Sequence, residues 1–268
     1  MNTETDAYNC WTCDARKPTR GKTLTGLLAG RVSPEELSEY LVSLDDLGSR
    51  RSVVMDVDTR RPELPEGFRS LVRHPAGSQQ WRYMLDRGVS IEDALFHRIG
   101  ACDSGPFSGR IVFPSFDEVG ELNFFTTRKV SRFSPGPTYV TCDTSKDIIF
   151  NDCLIDWRLP LVVVEGPFDM LAVGRNAVPL QGKMLRPSMQ LFQKIVRKSP
   201  RVYVCLDSDA VGDQLAICHL LYRYCVDVRS VRIEGYKDLG EMPRGSVMPL
   251  LASARGYDTL SKVRELCG

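Results

Sequence analysis

Three textures of apolar and polar positions follow one another along the chain. Up to about residue 60 the sequence is polar and rich in turn formers, with one amphipathic stretch. There Ser33 stands as a helix cap, Pro34 takes the first helical position, and Glu35 and Glu36 make an acidic first turn. Leu37, Tyr40, Leu41 and Leu44 share one face of that helix. Helical spacing returns over 79–86, and Ser90 caps a further helix over 91–96. Beyond residue 100 the pattern shortens to β-rich runs separated by turns. Runs at 110–116 and 121–127 flank Asp117-Glu118-Val119-Gly120, which predicts a hairpin, and Ser134-Pro135-Gly136-Pro137 is a loop.

The third texture begins near residue 158. The run 159–164 is continuously apolar, as expected of a strand buried on both faces. A helix over 168–174, a short strand over 177–180, a helix over 188–197 and a second strongly apolar strand over 202–206 follow. Helical spacing over 214–224 and a strand over 227–233 complete the pattern. Strands alternating with helices argue for a mostly parallel sheet covered by helices. The expected fold class is therefore an α+β amino-terminal and central part followed by an α/β domain.

Composition narrows the function more than the fold. Of 268 residues, 43% are hydrophobic, enough to bury a core, and 35 basic against 34 acidic side chains leave a formal charge of +1. So balanced a chain is not a general coat for nucleic acid, and any polyanion must meet a local basic patch. The longest apolar runs are too short to span a bilayer, and the amino terminus, with Glu4 and Asp6, has no signal-peptide core. Nine scattered cysteines do not form a secreted disulfide framework. These features predict no membrane partner and a reducing, cytoplasmic setting.

In open α/β sheets, ligands collect beyond the carboxyl ends of the strands. Acidic clusters fall at three such ends: Glu165 and Asp169, then Asp207 and Asp209, then Asp238 and Glu241. If the strands are neighbours, these carboxylates converge and stay ionised only beside cations. Hard oxygen ligands at that density suit Mg²⁺ or Mn²⁺, and two such ions could serve phosphoryl transfer. The plainer reading is that each Asp after a strand caps a helix or turn, as Asp213 does for the helix that follows it.

Glu165-Gly166-Pro167-Phe168-Asp169 and Asp207-Ser208-Asp209, each after a predicted strand, resemble the Toprim domain shared by primases, topoisomerases and some nucleases. Asp207-Ser208-Asp209-Ala210-Val211-Gly212 and Lys237-Asp238-Leu239-Gly240-Glu241 are close to the DnaG-type primase variants of those motifs. Upstream, Tyr83-Met84-Leu85-Asp86-Arg87-Gly88-Val89-Ser90 is similar to a DnaG signature. So are the hairpin from Gly109-Arg110-Ile111-Val112-Phe113-Pro114 to Gly120 and the segment Pro137-Thr138-Tyr139-Val140. In order, these matches cover residues 80–242. Thr138 and Asp152 stand where the family commonly has groove-lining lysines, and Leu239 replaces its usual proline.

The resemblance implies a DNA primase that makes short RNA primers on single-stranded DNA from ribonucleoside triphosphates. It implies the following segments: 1–30, a truncated zinc-ribbon-like piece; 31–78, a linker with a helix; 79–157, the α+β subdomain; 158–242, the Toprim domain; and 243–268, a short helical tail. Asp207, Asp209 and Asp238 would hold Mg²⁺ or Mn²⁺. Glu165 and Asp169 are the catalytic candidates, Glu165 as metal ligand or as base toward the attacking 3′-hydroxyl, Asp169 as the group that orients Glu165 or the first turn of the helix. Arg110, Arg128 and Lys129 would hold template or nucleotide phosphates, and Tyr139 would stack on a base. A solvated strand face, or a core position for Tyr139, is the competing reading of each.

Cys10-Trp11-Thr12-Cys13 has zinc-knuckle spacing but is one ligand pair where a structural zinc needs two. The missing pair is lost, or the start is misassigned or the ribbon completed by another chain, or the two cysteines are free or redox-active thiols. The short tail leaves no room for a helicase-binding domain, which suggests a phage-type enzyme with a separate replicative helicase. Two alternatives remain open: a Toprim nuclease using the same metal site, and a DNA-binding replisome or virion subunit that has lost activity.

Overall fold

The computed structural model describes residues 61–258 except 132 and 134, together with Ser33. The predicted helix after Ser33, Cys10, Cys13 and the ribbon-like segment lie outside the described residues. Two five-stranded sheets organise the remainder.

The first sheet is antiparallel throughout. Its strands run in sequence order: β1 (Phe68–Ser70), β2 (Gly100–Cys102), β3 (Arg110–Phe116), β4 (Leu122–Lys129) and β5 (Tyr139–Thr141). The predicted hairpin is β3–β4, with Arg110 opposite Lys129 and Arg128 opposite Tyr139. Between β1 and β2 come α1 (Gln79–Asp86) and α2 (Ile91–Phe96). Ser78 caps α1 by accepting from the Trp81 N–H at 3.2 Å. Ser90 and Asp93 form a reciprocal capping box on α2, at 3.1 and 2.8 Å.

The second sheet is built from β6 (Leu161–Val164), β7 (Ala177–Pro179), β8 (Val202–Cys205), β9 (Val228–Ser230) and β10 (Arg255–Gly256), in the order β10-β9-β8-β6-β7. The pairs β6–β7, β6–β8 and β8–β9 are parallel, and β10 adds an antiparallel edge. Crossovers are made by α3 (Pro167–Val173), α4 (Gln190–Lys198) and α5 (Val211–Arg223), and α6 (Arg244–Ser253) precedes β10. Every residue of β6 is buried, as its unbroken apolar run requires.

Differences from the sequence expectation sit at element ends. The predicted strand 227–233 is ladder-paired only over Val228–Ser230, and α5 begins three residues before 214. The short β1, β2, β5 and β10 rest on pairing partners distant in sequence, which local pattern does not report. The apolar cores of the two sheets are continuous. Phe168 at the start of α3 packs edge-to-face on Phe113 of β3, with ring centroids 5.2 Å apart.

Candidate active site

The strand order brings the acidic turns together. β6 sits between β7 and β8, and β9 flanks β8, so the turns after β6 and β8 and the segment after β9 open at the same end of the sheet. Pro167 takes the first position of α3, and Asp169 lies in its first turn. Asp169 Oδ2 accepts from the Gly166 N–H at 3.0 Å, and Oδ1 accepts from the Gly240 N–H at 3.1 Å. Asp207 emerges from a tight turn in which the Ala210 N–H donates to the Asp207 carbonyl at 2.8 Å. Asp238 heads a 3-10 helix at Leu239–Glu241.

Carboxylate oxygens of Asp169, Asp207 and Asp238 lie within 4.8 Å of one another. This crowding is expensive for three anions. Burial, with the neighbouring Asp238 charge second, pushes the Asp169 carboxyl up to about 7. The same two causes raise Asp207. Glu165 is raised by burial and then by Asp207, while Lys183 pulls the other way. Asp238 Oδ1 and Glu165 Oε2 are buried without a hydrogen-bond partner. Three convergent carboxylates, one of them with the orphaned Asp238 Oδ1, are what a hard divalent cation satisfies, so the residues present fit Mg²⁺ or Mn²⁺.

Asp209 stands apart from this triad. Its side chain is 67% exposed and pairs with Lys183 Nζ at 3.1 Å, which holds its carboxyl below the usual range. Asp169 joins the carboxylate cluster and also ties down the start of α3, so the capping and ligand readings of that residue describe one side chain.

A cavity of about 450 Å³ opens over the triad, with Arg87, Arg128, Tyr139 and Lys146 among its lining residues. Arg128 Nε donates to the Tyr83 hydroxyl at 2.6 Å, and its guanidinium lies 4.9 Å from the Tyr139 ring centroid. Arg87 stacks on Phe168 at 4.7 Å. Arg110 and Lys129 line a different cavity. Arg110 is buried and donates to the carbonyls of Pro137 at 2.7 Å and Thr138 at 3.3 Å. Lys129 Nζ donates to the Gly136 carbonyl at 2.9 Å. The split follows from strand geometry: Arg128 and Lys129 are adjacent on β4 and point to opposite faces. Of the four cationic and aromatic candidates, the fold brings Arg128 and Tyr139 to the acidic cluster and does not bring Arg110 and Lys129 there.

Neither a protein-family model nor a curated protein matches the sequence. Solved structures do match the fold. The zinc-binding and RNA polymerase domains of the Aquifex aeolicus primase superpose with a TM-score of 0.57 at 19% identity. The match covers 74% of this chain, which spans only 61% of that structure. The E. coli primase catalytic core gives 0.56 at 16% identity over 74% of this chain and 79% of that one. A DnaG primase catalytic domain bound to single-stranded DNA gives 0.55 at 19% identity, covering 70% and 75%. The fold is that of a DnaG primase catalytic core.

Within this primase-core fold, several site residues have no motif to announce them. Gln214 of α5 is buried and holds the turn from which Asp207 emerges. Its Oε1 accepts from the Leu206 N–H at 2.8 Å, and its Nε2 donates to Ser230 Oγ at 2.9 Å and the Val231 carbonyl at 3.0 Å. Lys183 supplies positive charge beside the carboxylates from outside any motif, whereas Arg87 and Lys237, which line the cavity, lie inside motifs quoted above without being singled out as site residues. Asp152, where the resemblance expects a lysine, is turned away from the cavity: it accepts from Lys194 at 2.6 Å and from the Trp157 indole at 2.9 Å.

Proposed function

We propose that the chain is a DNA primase that joins ribonucleotides into short primers on a single-stranded DNA template, in phage-type replication. The observation that carries this reading is the facing of two chemistries across one cavity: the Asp169, Asp207 and Asp238 carboxylates on one wall, and Arg128 stacked with Tyr139 on the other. Solved primases of this fold hold single-stranded DNA and double-stranded DNA, which supports a DNA partner for this chain.

Mg²⁺ or Mn²⁺ held by Asp169, Asp207 and Asp238 would supply positive charge to phosphate oxygens in the transition state. Glu165, raised above the ordinary carboxylate range, is suited to take the proton of the attacking 3′-hydroxyl. Arg128 and Arg87 offer planar cations to phosphates, and Tyr139, 38% exposed, offers a face on which a base can stack. In this reading residues 79–157 form the template-binding subdomain and 158–242 the Toprim domain. Cys10 and Cys13 are candidate zinc ligands. A replicative helicase is the expected protein partner, and the setting is the host cytoplasm. No helix among the described residues is long and apolar enough to cross a membrane.

The test is ribonucleotide incorporation by purified chain on mixed-sequence single-stranded DNA with Mg²⁺ or Mn²⁺. Template-dependent short RNA establishes the primase. Degradation of the template replaces it with a nuclease, and binding without any product replaces it with a DNA-binding subunit.

A further inference from the structure

The carboxylates around the site fall into two sets. Asp169, Asp207 and Asp238 converge on one point. Glu165 and Asp209 do not join them. They are bridged by one ammonium group: Lys183 Nζ lies 3.1 Å from Asp209 Oδ1 and 3.9 Å from Glu165 Oε2. Among the described residues no other cationic side chain pairs with either carboxylate. Glu165 Oε2 is buried and has no hydrogen bond, so the lysine is its nearest compensation.

The fold explains how one lysine reaches both. The order β8-β6-β7 puts Asp209 on one side of the end of β6 and the turn after β7 on the other. Lys183 belongs to that turn, in which Gln181 adopts a left-handed backbone, φ 55°, that a residue with a side chain rarely occupies. From there the long stem spans the end of β6, past Glu165, to Asp209.

We propose that Lys183 takes the place of a second divalent cation, so that this chain binds one Mg²⁺ or Mn²⁺ at the triad and screens Glu165 and Asp209 with its own ammonium. An ammonium is a compact, hydrated point charge on a flexible stem. Unlike a metal ion it is present at every metal concentration. Its further role rests on the nucleotidyl-transfer reading. In that reaction the 3′-oxygen bonds to the α-phosphorus, its proton passes to Glu165, and the bond from the α-phosphorus to the bridging oxygen breaks. Pyrophosphate leaves with that electron pair, and the Lys183 ammonium, next in sequence to the cavity-lining Gly182, is placed to neutralise it. The number of ions bound does not depend on this chemistry.

Mn²⁺ binding to the full chain without nucleotide, followed by electron paramagnetic resonance, tests the proposal. The expected result is one ion per wild-type chain. Lys183→Gln should acquire a second ion, tightened by about tenfold or more over any weak binding at that place in the wild type. Lys183→Arg should keep one. Adding Asp209→Asn to Lys183→Gln should remove the second ion again. A wild-type chain that binds no ion, or two of similar affinity, overturns the proposal, as does an unchanged count in Lys183→Gln. Primer synthesis measured on the same preparations separates the two ideas. Absence of primers with the expected counts removes the primase and leaves the lysine, whereas primers with an unchanged count do the reverse.

Discussion

The backbone N–H of Gly240 donates to Asp169 Oδ1 at 3.1 Å, joining the segment after β9 to the first turn of α3. A side chain larger than glycine's would be crowded at this contact. A Cβ there would lie 3.1 Å from the Phe168 Cβ and 3.2 Å from Asp238 Oδ1, in a place where neither neighbour can give way without moving a carboxylate. Gly240→Ala should therefore weaken Mn²⁺ binding by about tenfold, the scale of effect seen when groups that orient metal ligands are disturbed. Gly245→Ala, where a Cβ meets nothing within 4 Å, should leave the affinity unchanged in the same titration.

Asp238→Asn should separate stability from ion binding. The substitution removes one of three crowded negative charges, including the charge that helps to raise Asp169 and Asp207. In chelator, the variant should melt about 2–4 °C higher, corresponding to about 1 kcal/mol. In Mn²⁺ that advantage should vanish, because only the wild type gains stability from the ion. A lower melting temperature in chelator would show that repulsion is not what dominates the triad.

Arg128 and Arg110 should behave as different kinds of residue despite their shared charge. Arg128→Gln removes a cation from the cavity wall and should lower single-stranded DNA affinity, reducing the salt dependence by about one unit of slope. Arg110→Gln removes the guanidinium that ties down the Pro137 and Thr138 carbonyls. It should lower the melting temperature by a few degrees while leaving the salt slope intact. Fluorescence anisotropy at a series of salt concentrations, with melting curves beside it, checks both.

His97 gives the fold an acid sensitivity away from the site. It is buried, packs edge-to-face on Phe96 at 4.9 Å, and leaves both ring nitrogens without a hydrogen bond. Burial lowers its pKa from 6.5 to about 4. Between those values the unfolded chain binds a proton that the folded chain refuses, so this contribution is complete above pH 6.5. It is lost as pH falls toward 4, by about 3 kcal/mol in total. Urea denaturation from pH 7 to 4 should show that slope, and His97→Phe should flatten it.

Much of the parallel sheet is legible in the sequence, because a strand buried on both faces must be apolar throughout, as 161–164 and most of 202–205 are. The acidic turns were equally visible, since each directly follows or closely trails such a run. Other features were hidden for physical reasons. Which carboxylates converge depends on strand order and on the stem of Lys183, neither of which is local. The different surroundings of Arg128 and Lys129 follow from the alternation of adjacent side chains across a strand, which assigns each face to its neighbours only once the pairing is known. Gln214 reads as an ordinary helical residue until the ends of β8 and β9 come within its reach.

Phe168 stands between two residues of different kinds of importance. On one side its ring touches Phe113 and Tyr83 of the antiparallel half, at 5.2 and 6.0 Å, and carries Arg87 and Arg128 at 4.7 and 5.5 Å. On the other it is bonded directly to Asp169. The floor of the cavity and the innermost carboxylate are thus consecutive links of one short helix. Sliding one sheet past the other would drag that carboxylate with it, so the aromatic wall of the cavity and its acidic anvil are a single casting.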